Sequence, residues 1–213
     1  MKIVNIKNKK ATRLAIKAIK KGGIIVCPTD TVYGLIADAT NKKAVGEIFK
    51  IKKRPKSKPL AVFVKDIKAA KELAEIDINQ EKILKKYWPG KYTFILKSQI
   101  PMSNAQSNPK SQILNSKLLT KNRTIALRIP KYKFLNDLLK KINKPLAQTS
   151  ANISGKPAST KIEEVLSQFK KKKTTPNVVP NFPMLIIDGG NLLKSKPSKV
   201  IDLTGKKRRV LRY

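Results

Sequence analysis

Between Lys10 and Lys20 the apolar residues fall at Ala11, Leu14, Ala15, Ala18 and Ile19. That three-and-four spacing predicts an amphipathic helix, closed by Gly22-Gly23. The run Ile24 to Cys27 then reads as a short buried strand. Asn41 is placed to cap a second helix through Ala44, Val45, Ile48 and Phe49, which must end before Pro55. Leu60 to Val64 reads as a strand, and helices are expected near Ile67–Leu73 and Asn79–Tyr87. Tyr92–Leu96 and Thr124–Ile129 read as strands, Tyr132–Ile142 as a helix, Pro145–Gln148 as a short strand and Lys161–Phe169 as a helix. The closing strands are Met184–Ile187, Lys199–Leu203 and Arg208–Arg212. The segments Lys97–Asn122 and Lys170–Pro183 lack apolar periodicity and read as surface loops. There is no internal repeat and no strict strand–helix–strand rhythm. The expected fold is α/β: a mixed twisted sheet with flanking helices, one domain over 1–213.

One segment breaks the pattern. Strand 24–27 empties into Pro28 to Leu35, PTDTVYGL, which packs an acid, two Thr hydroxyls, a Tyr and a Gly into a turn. Polar groups crowded at a buried strand end are costly unless something binds them, and strand ends are where α/β proteins place ligands. A plainer reading is a strand-to-helix turn in which Thr and Asp satisfy backbone groups. The segment alone leaves both open.

Composition narrows the chemistry. The chain has no His, which excludes imidazole bases, Ser-His and Cys-His pairs and His-ligated zinc. A single Cys, Cys27, gives no disulfide framework or Cys metal cluster, and no metal-ligand set is expected. No apolar run approaches a bilayer span of ~20 residues, and the N-terminus lacks a signal-peptide core. A cytoplasmic protein without membrane partners is expected. The formal charge of +35 points to polyanions. Nearly all of the excess is Lys, however, which compositional bias alone can produce. The few Arg residues are sharper markers of bidentate anion recognition.

Two further islands carry polar chemistry. Lys52 to Leu60, KKRPKSKPL, places Lys52, Arg54 and Lys58 around Pro55 at a helix end, either a phosphate clamp or cations complementing the helix dipole. Gln148 to Gly155, QTSANISG, again empties a strand into hydroxyls and an amide, with small residues that let a ligand approach the backbone. An ST-turn before a helix cap is the alternative. Arg128, inside the apolar strand TIALRI, requires a bound anion or an internal acid, for which Asp30 is the candidate. Cations and Ser198 recur near the last strands. No P-loop or dinucleotide fingerprint is present.

Taken in order, PTDTVYGL, Lys52-Lys53-Arg54 with Pro59-Leu60, Trp88-Pro89-Gly90-Lys91-Tyr92-Thr93, Ala126-Leu127-Arg128, Thr149 to Gly155 and Pro197-Ser198 resemble the YrdC-like (TsaC-type) family of threonylcarbamoyl-AMP synthases. The resemblance implies a YrdC-like fold around a basic concave cleft. It also implies condensation of L-threonine, bicarbonate and ATP into threonylcarbamoyl-AMP and pyrophosphate. Threonylcarbamoyl-transferase proteins would then modify adenosine 37 of ANN-decoding tRNAs. Carried over residue by residue, Thr31, Arg128 and Ser150 match threonine contacts. Lys52 and Arg54 match the catalytic, phosphate-facing pair. Lys58, Thr124, Asn152, Thr160, Ser198 and Arg212 match nucleotide contacts. Asp30 replaces a commoner Glu, Lys58 an Asn of long-form relatives, and Phe63 a His, which leaves Phe63 without an assigned role. A chain ending at Tyr213 matches the short form, without an extra C-terminal domain.

The residue inventory suits such a reaction. Attack of a carbamate oxygen on an α-phosphate needs positioning and charge neutralisation rather than His or a covalent intermediate. Lys52, Arg54, Lys58 and Mg2+ arriving with ATP can supply these. The competing reading is a non-catalytic module gripping tRNA or double-stranded RNA in the same basic cleft.

Overall fold

The computed structural model describes residues 2–55, 57–100, 114–169, 184–205 and 207–212. The loop expected over Lys170–Pro183 lies outside the described residues, as does 101–113 of the other expected loop. Ten strands form one sheet: β1 (Lys2–Asn5), β2 (Ile24–Cys27), β3 (Gly34–Asp38), β4 (Ala61–Phe63), β5 (Tyr92–Lys97), β6 (Thr124–Arg128), β7 (Leu146–Ser150), β8 (Met184–Asp188), β9 (Lys199–Asp202) and β10 (Arg209–Arg212). Their spatial order is β1-β8-β2-β3-β7-β4-β6-β5-β9-β10. Parallel pairs β1–β8, β8–β2, β4–β6 and β5–β9 are joined by antiparallel ones, so the sheet is mixed, as expected.

Among the described residues six helices pack on it: α1 (Ala11–Lys20), α2 (Lys42–Lys52), α3 (Ile67–Lys71), α4 (Ile78–Tyr87), α5 (Lys133–Ile142) and α6 (Ile162–Phe169). α1 buries Ala11, Ala15 and Ile19, the stripe its periodicity predicts. Asn41 caps α2 by accepting from the Ala44 N–H at 2.9 Å. No helix among the described residues is long and apolar enough to cross a membrane.

The helices cover the two faces unequally. One face, with Leu35, Ala37, Phe94, Leu96, Ile125, Leu127 and Ile201, is buried with residues of α2, α3, α4 and α6. On the other face α1 and α5 bury only the half built from β1, β8, β2, β3, β7 and β4. Over β6, β5 and β9 the apolar residues Ala126, Ile95 and Val200 of that second face are only half-buried. Thr93, Thr124 and Arg128 share this face with them.

Three expectations are corrected. Residues after PTDTVY do not lead into a helix; Gly34–Asp38 is a strand whose Gly34 pairs with Cys27, making β2–β3 a hairpin. It runs through the sheet centre with every residue buried, so it lacks the alternation that would have marked it. β7 continues through Ser150, because Gly34 pairs with Ser150 and Leu35 with Thr149. Gln148 to Ser150 therefore belong to a strand rather than to its exit. Finally, the segment expected as a loop over Lys97–Asn122 sends Leu114 and Leu118 into the core and includes a 3-10 turn, Ser116–Leu118.

Candidate active site

The six residues joining β2 to β3 are organised by two threonines. Thr29 Oγ1 accepts from the Thr31 N–H at 3.0 Å and donates to Val32 O at 2.8 Å. With its only proton given to Val32, Thr29 must accept in its 3.0 Å contact with the Thr31 hydroxyl. Thr31 Oγ1 thus directs its proton inward and its lone pairs elsewhere, one toward Arg128 Nη1 at 3.5 Å. Tyr33 anchors the loop from the other side: its buried hydroxyl donates to Gly190 O at 2.6 Å and accepts from Gly189 N at 3.0 Å. Desolvation pushes that phenol up to about 12, so it stays a neutral anchor.

Arg128, the last residue of β6, is 2% exposed and is held on three sides. Nε donates to Gly90 O at 3.0 Å, and Nη2 meets Asp30 Oδ1 at 2.5 Å. The guanidinium carbon lies 5.6 Å from the centre of the Phe63 ring, which backs it from β4. Asp30 is fixed in turn, its other oxygen accepting from the Lys131 N–H at 3.1 Å. Burial pulls Arg128 below the ordinary guanidinium value, and Asp30 opposes that. The internal acid proposed from sequence is therefore Asp30. Of the five guanidinium N–H donors, three are engaged among the described residues, which leaves two for an incoming acceptor.

Lys52 ends α2 with its ammonium buried. It donates to Ser150 O at 2.7 Å, Asn152 O at 2.7 Å and Asn152 Oδ1 at 2.9 Å. An ammonium has three donors, so none remains for the phosphate contact expected of it. Asn152 is equally occupied: Oδ1 also accepts from Ser150 Oγ at 2.6 Å, and Nδ2 donates to Ile153 O and Lys156 O. In this geometry Lys52 and Asn152 hold the β7 exit in shape, and Ser150 is the member of the group left half-exposed. Desolvation, aided by the charge of Arg54, pulls the Lys52 ammonium down to about 7.

Arg54 braces the following loop, donating to Lys58 O at 2.7 Å and Pro59 O at 3.0 Å. Arg212, on β10, reaches across to β9 and donates to Ser198 O through Nε and Nη2, at 2.9 and 2.6 Å. Ser198 Oγ also takes an Arg212 contact at 3.1 Å and pairs with Thr93 Oγ1 at 2.9 Å. After desolvation, each of these cations is lowered by its neighbour: Lys52 by Arg54, Arg54 by Arg212, and Arg212 by Arg128. Four cations from three parts of the chain, the end of α2, β6 and β10, thus stand in one electrostatically coupled line. Only Asp30, at its Arg128 end, is paired with any of them among the described residues.

The other expected residues lie further out. Lys58 is exposed on the loop that Arg54 braces. Thr124 shares the open face with Arg128 but begins the strand that Arg128 ends, ~13 Å away by strand rise, its hydroxyl 2.7 Å from that of Thr120. Thr160 is half-buried, and its carbonyl accepts from Leu192 N at 2.9 Å. Sequence reading gave no role to Phe63, Gly90 or Thr93, whose parts depend on contacts far along the chain. Thr29 was visible in its T-x-T spacing with Thr31. No group of three or more carboxylate, Cys or His ligands occurs among the described residues.

An open-faced mixed α/β sheet with a line of cations running from buried Lys52 and Arg128 to exposed Arg212 defines a protein with a candidate polyanion site. A family model described as "Telomere recombination", which joins the Sua5, YciO and YrdC proteins, matches residues 17–213. The chain belongs to that family. It is 34% identical over 193 residues to the threonylcarbamoyl-AMP synthase of Pyrococcus abyssi, covering 90% of this chain and 50% of that protein. The chain thus spans half the length of that relative. The crystal structure of P. abyssi Sua5 complexed with L-threonine superposes with a TM-score of 0.82 at 30% identity, covering 100% of this chain and 57% of the other. Escherichia coli YciO gives 0.79 at 27% identity, covering 99% and 92%.

Proposed function

We propose that this chain is an L-threonylcarbamoyladenylate synthase that joins L-threonine, bicarbonate and ATP with release of pyrophosphate. The observation that carries this reading is the buried Arg128, held by Gly90, Thr31 and Asp30 with two N–H donors left over, at one end of the line Lys52, Arg54, Arg212 and Arg128. Bringing like charges together in a partly desolvated site is unfavourable unless a polyanion completes it. A nucleoside triphosphate together with an amino-acid carboxylate supplies charge at both ends of that line. The names of the relatives, and the threonine in the Sua5 complex, point the same way.

In this reading the threonine carboxylate takes the two Arg128 N–H donors left by Gly90, Thr31 and Asp30. Thr31 Oγ1, its proton directed to Thr29, offers a lone pair to the threonine hydroxyl, and Ser150 lines the same end. The threonine amine attacks the bicarbonate carbon and a C–O bond breaks with loss of water, giving a carbamate, one oxygen of which attacks the α-phosphorus of ATP. The bond to the β-phosphate oxygen breaks and pyrophosphate leaves. Arg54, Lys58 and Arg212 neutralise phosphate charge, Mg2+ entering on the nucleotide. The nucleoside extends along the half-exposed strip of Ala126, Ile95 and Val200 toward Thr124, with Ser198 and Thr160 at its margins. Lys52 and Asn152 act as positioning residues that shape the Ser150 wall. Transferase proteins and tRNA are the expected downstream partners, in the cytoplasm.

Mass spectrometry of the reaction with ATP, threonine and labelled bicarbonate tests this directly. An AMP adduct carrying the threonyl carbamate and the label is the expected product. RNA binding without any such adduct would instead leave the reading as a non-catalytic RNA module.

A further inference from the structure

Beyond the Arg128 site, a cavity of about 430 Å³ opens at the end of the sheet where β5 and β9 begin. Lys86 and Tyr87 enter it from the last turn of α4, Lys91 and Tyr92 from the start of β5, Lys131 from the link between β6 and α5, and Lys196 from the segment before β9. No carboxylate lines it among the described residues. These four lysines and Lys199, which also lines the pocket, are exposed, while the two tyrosines are half-buried. The tyrosine rings lie 4.5 Å apart at 47°, and Lys86 Nζ stands 6.0 Å from the Tyr87 ring centre. Lysines are common everywhere on this surface. Here five of them, Lys199 of β9 included, converge from four segments on one concavity beside a pair of rings.

We propose that this pocket docks a single-stranded nucleic-acid segment, with its phosphates on the lysines and a base against the Tyr87–Tyr92 pair. Strands without fixed sequence are held by this combination of a cationic groove and aromatic platforms, each stacked base contributing about 1–3 kcal/mol. A simple phosphate would need no rings, and an acidic peptide gains little from them. The pocket also backs onto the candidate active site. Gly90, which lines it, gives its carbonyl to Arg128, and the Lys131 N–H binds Asp30. A docked strand would therefore press on the two groups that fix Arg128. The inference does not depend on the synthase reading, since strand affinity and product formation are measured separately.

Fluorescence anisotropy of a labelled 12-nucleotide oligouridylate on the full chain tests it. The pair Lys86→Glu/Lys196→Glu is compared with Lys9→Glu/Lys17→Glu, which makes the same charge change near α1, against the opposite half of the sheet. The pocket pair is expected to weaken binding about tenfold more than the control pair and to reduce the salt slope by about 1.4, the value for two lost phosphate contacts on a single strand. On the unmodified protein, an abasic strand of equal length is expected to bind about tenfold more weakly, reporting the lost stacking. Equal losses in the two variants, or equal affinity for the abasic strand, would overturn the proposal.

Discussion

Asp30 Oδ1 stands 2.5 Å from Arg128 Nη2, with both side chains buried, one from the β2–β3 loop and the other from the end of β6. The ion pair ties the two polar islands of the sequence together and fixes which guanidinium donors remain for a ligand. Asp30→Asn keeps the size of the side chain but removes its charge, leaving Arg128 uncompensated in a desolvated site. Urea unfolding should show a loss of about 3–5 kcal/mol, the usual result of breaking a buried pair from one side. A loss below 1 kcal/mol would mean that the pair is open to solvent.

Phe63 is expected to act on substrate only through Arg128. Phe63→Leu removes the ring beneath the guanidinium while keeping an apolar filler. The cation–π contribution is about 1 kcal/mol, so the threonine KM should rise roughly fivefold with kcat nearly unchanged. A purely structural role would lower Tm and leave that KM alone.

Gly90 has no room for a side chain: a Cβ would lie 2.6 Å from the Tyr87 carbonyl oxygen. Gly90→Ala must shift the carbonyl that receives Arg128 Nε. Threonine affinity should fall about tenfold while ATP affinity changes less than twofold, because Arg54 and Arg212 are anchored elsewhere. Isothermal titration of each ligand separates these outcomes.

Lys52 has a pH signature. Its ordinary value is 10.5 and burial lowers it to about 7 in the folded chain. Between those values the unfolded chain holds a proton that the folded chain has lost. This group therefore makes stability rise with pH across that window and contributes no slope below it. Unfolding free energies of the natural chain, less those of Lys52→Met, should accordingly rise from pH 7 to pH 9. The neutral amine has two donors for three acceptors, so turnover should fall over the same range as the Ser150–Asn152 segment loosens. A flat difference in stability would place the Lys52 pKa near its ordinary value.

Much of this architecture is legible in the chain where burial is one-sided. The stripe of α1 and the Asn41 cap show themselves because a helix with one wet face must alternate. β3 does not, since Gly34–Asp38 is buried on both faces and offers no period. Arg128 and Asp30 were legible as a pair because an arginine in an apolar strand demands an anion. The engagement of Lys52 was not, since its acceptors lie about a hundred positions away and only the fold brings them together. Motif order located the site; which cations still have donors to offer depended on tertiary contacts.

The central claim is tested most directly by pyrophosphate release from the full chain with ATP, L-threonine and bicarbonate, each omitted in turn. Release that requires all three, and that needs far more threonine in Arg128→Ala, is the predicted result. Release indifferent to threonine, or none at all from a folded protein that binds ATP, would contradict it.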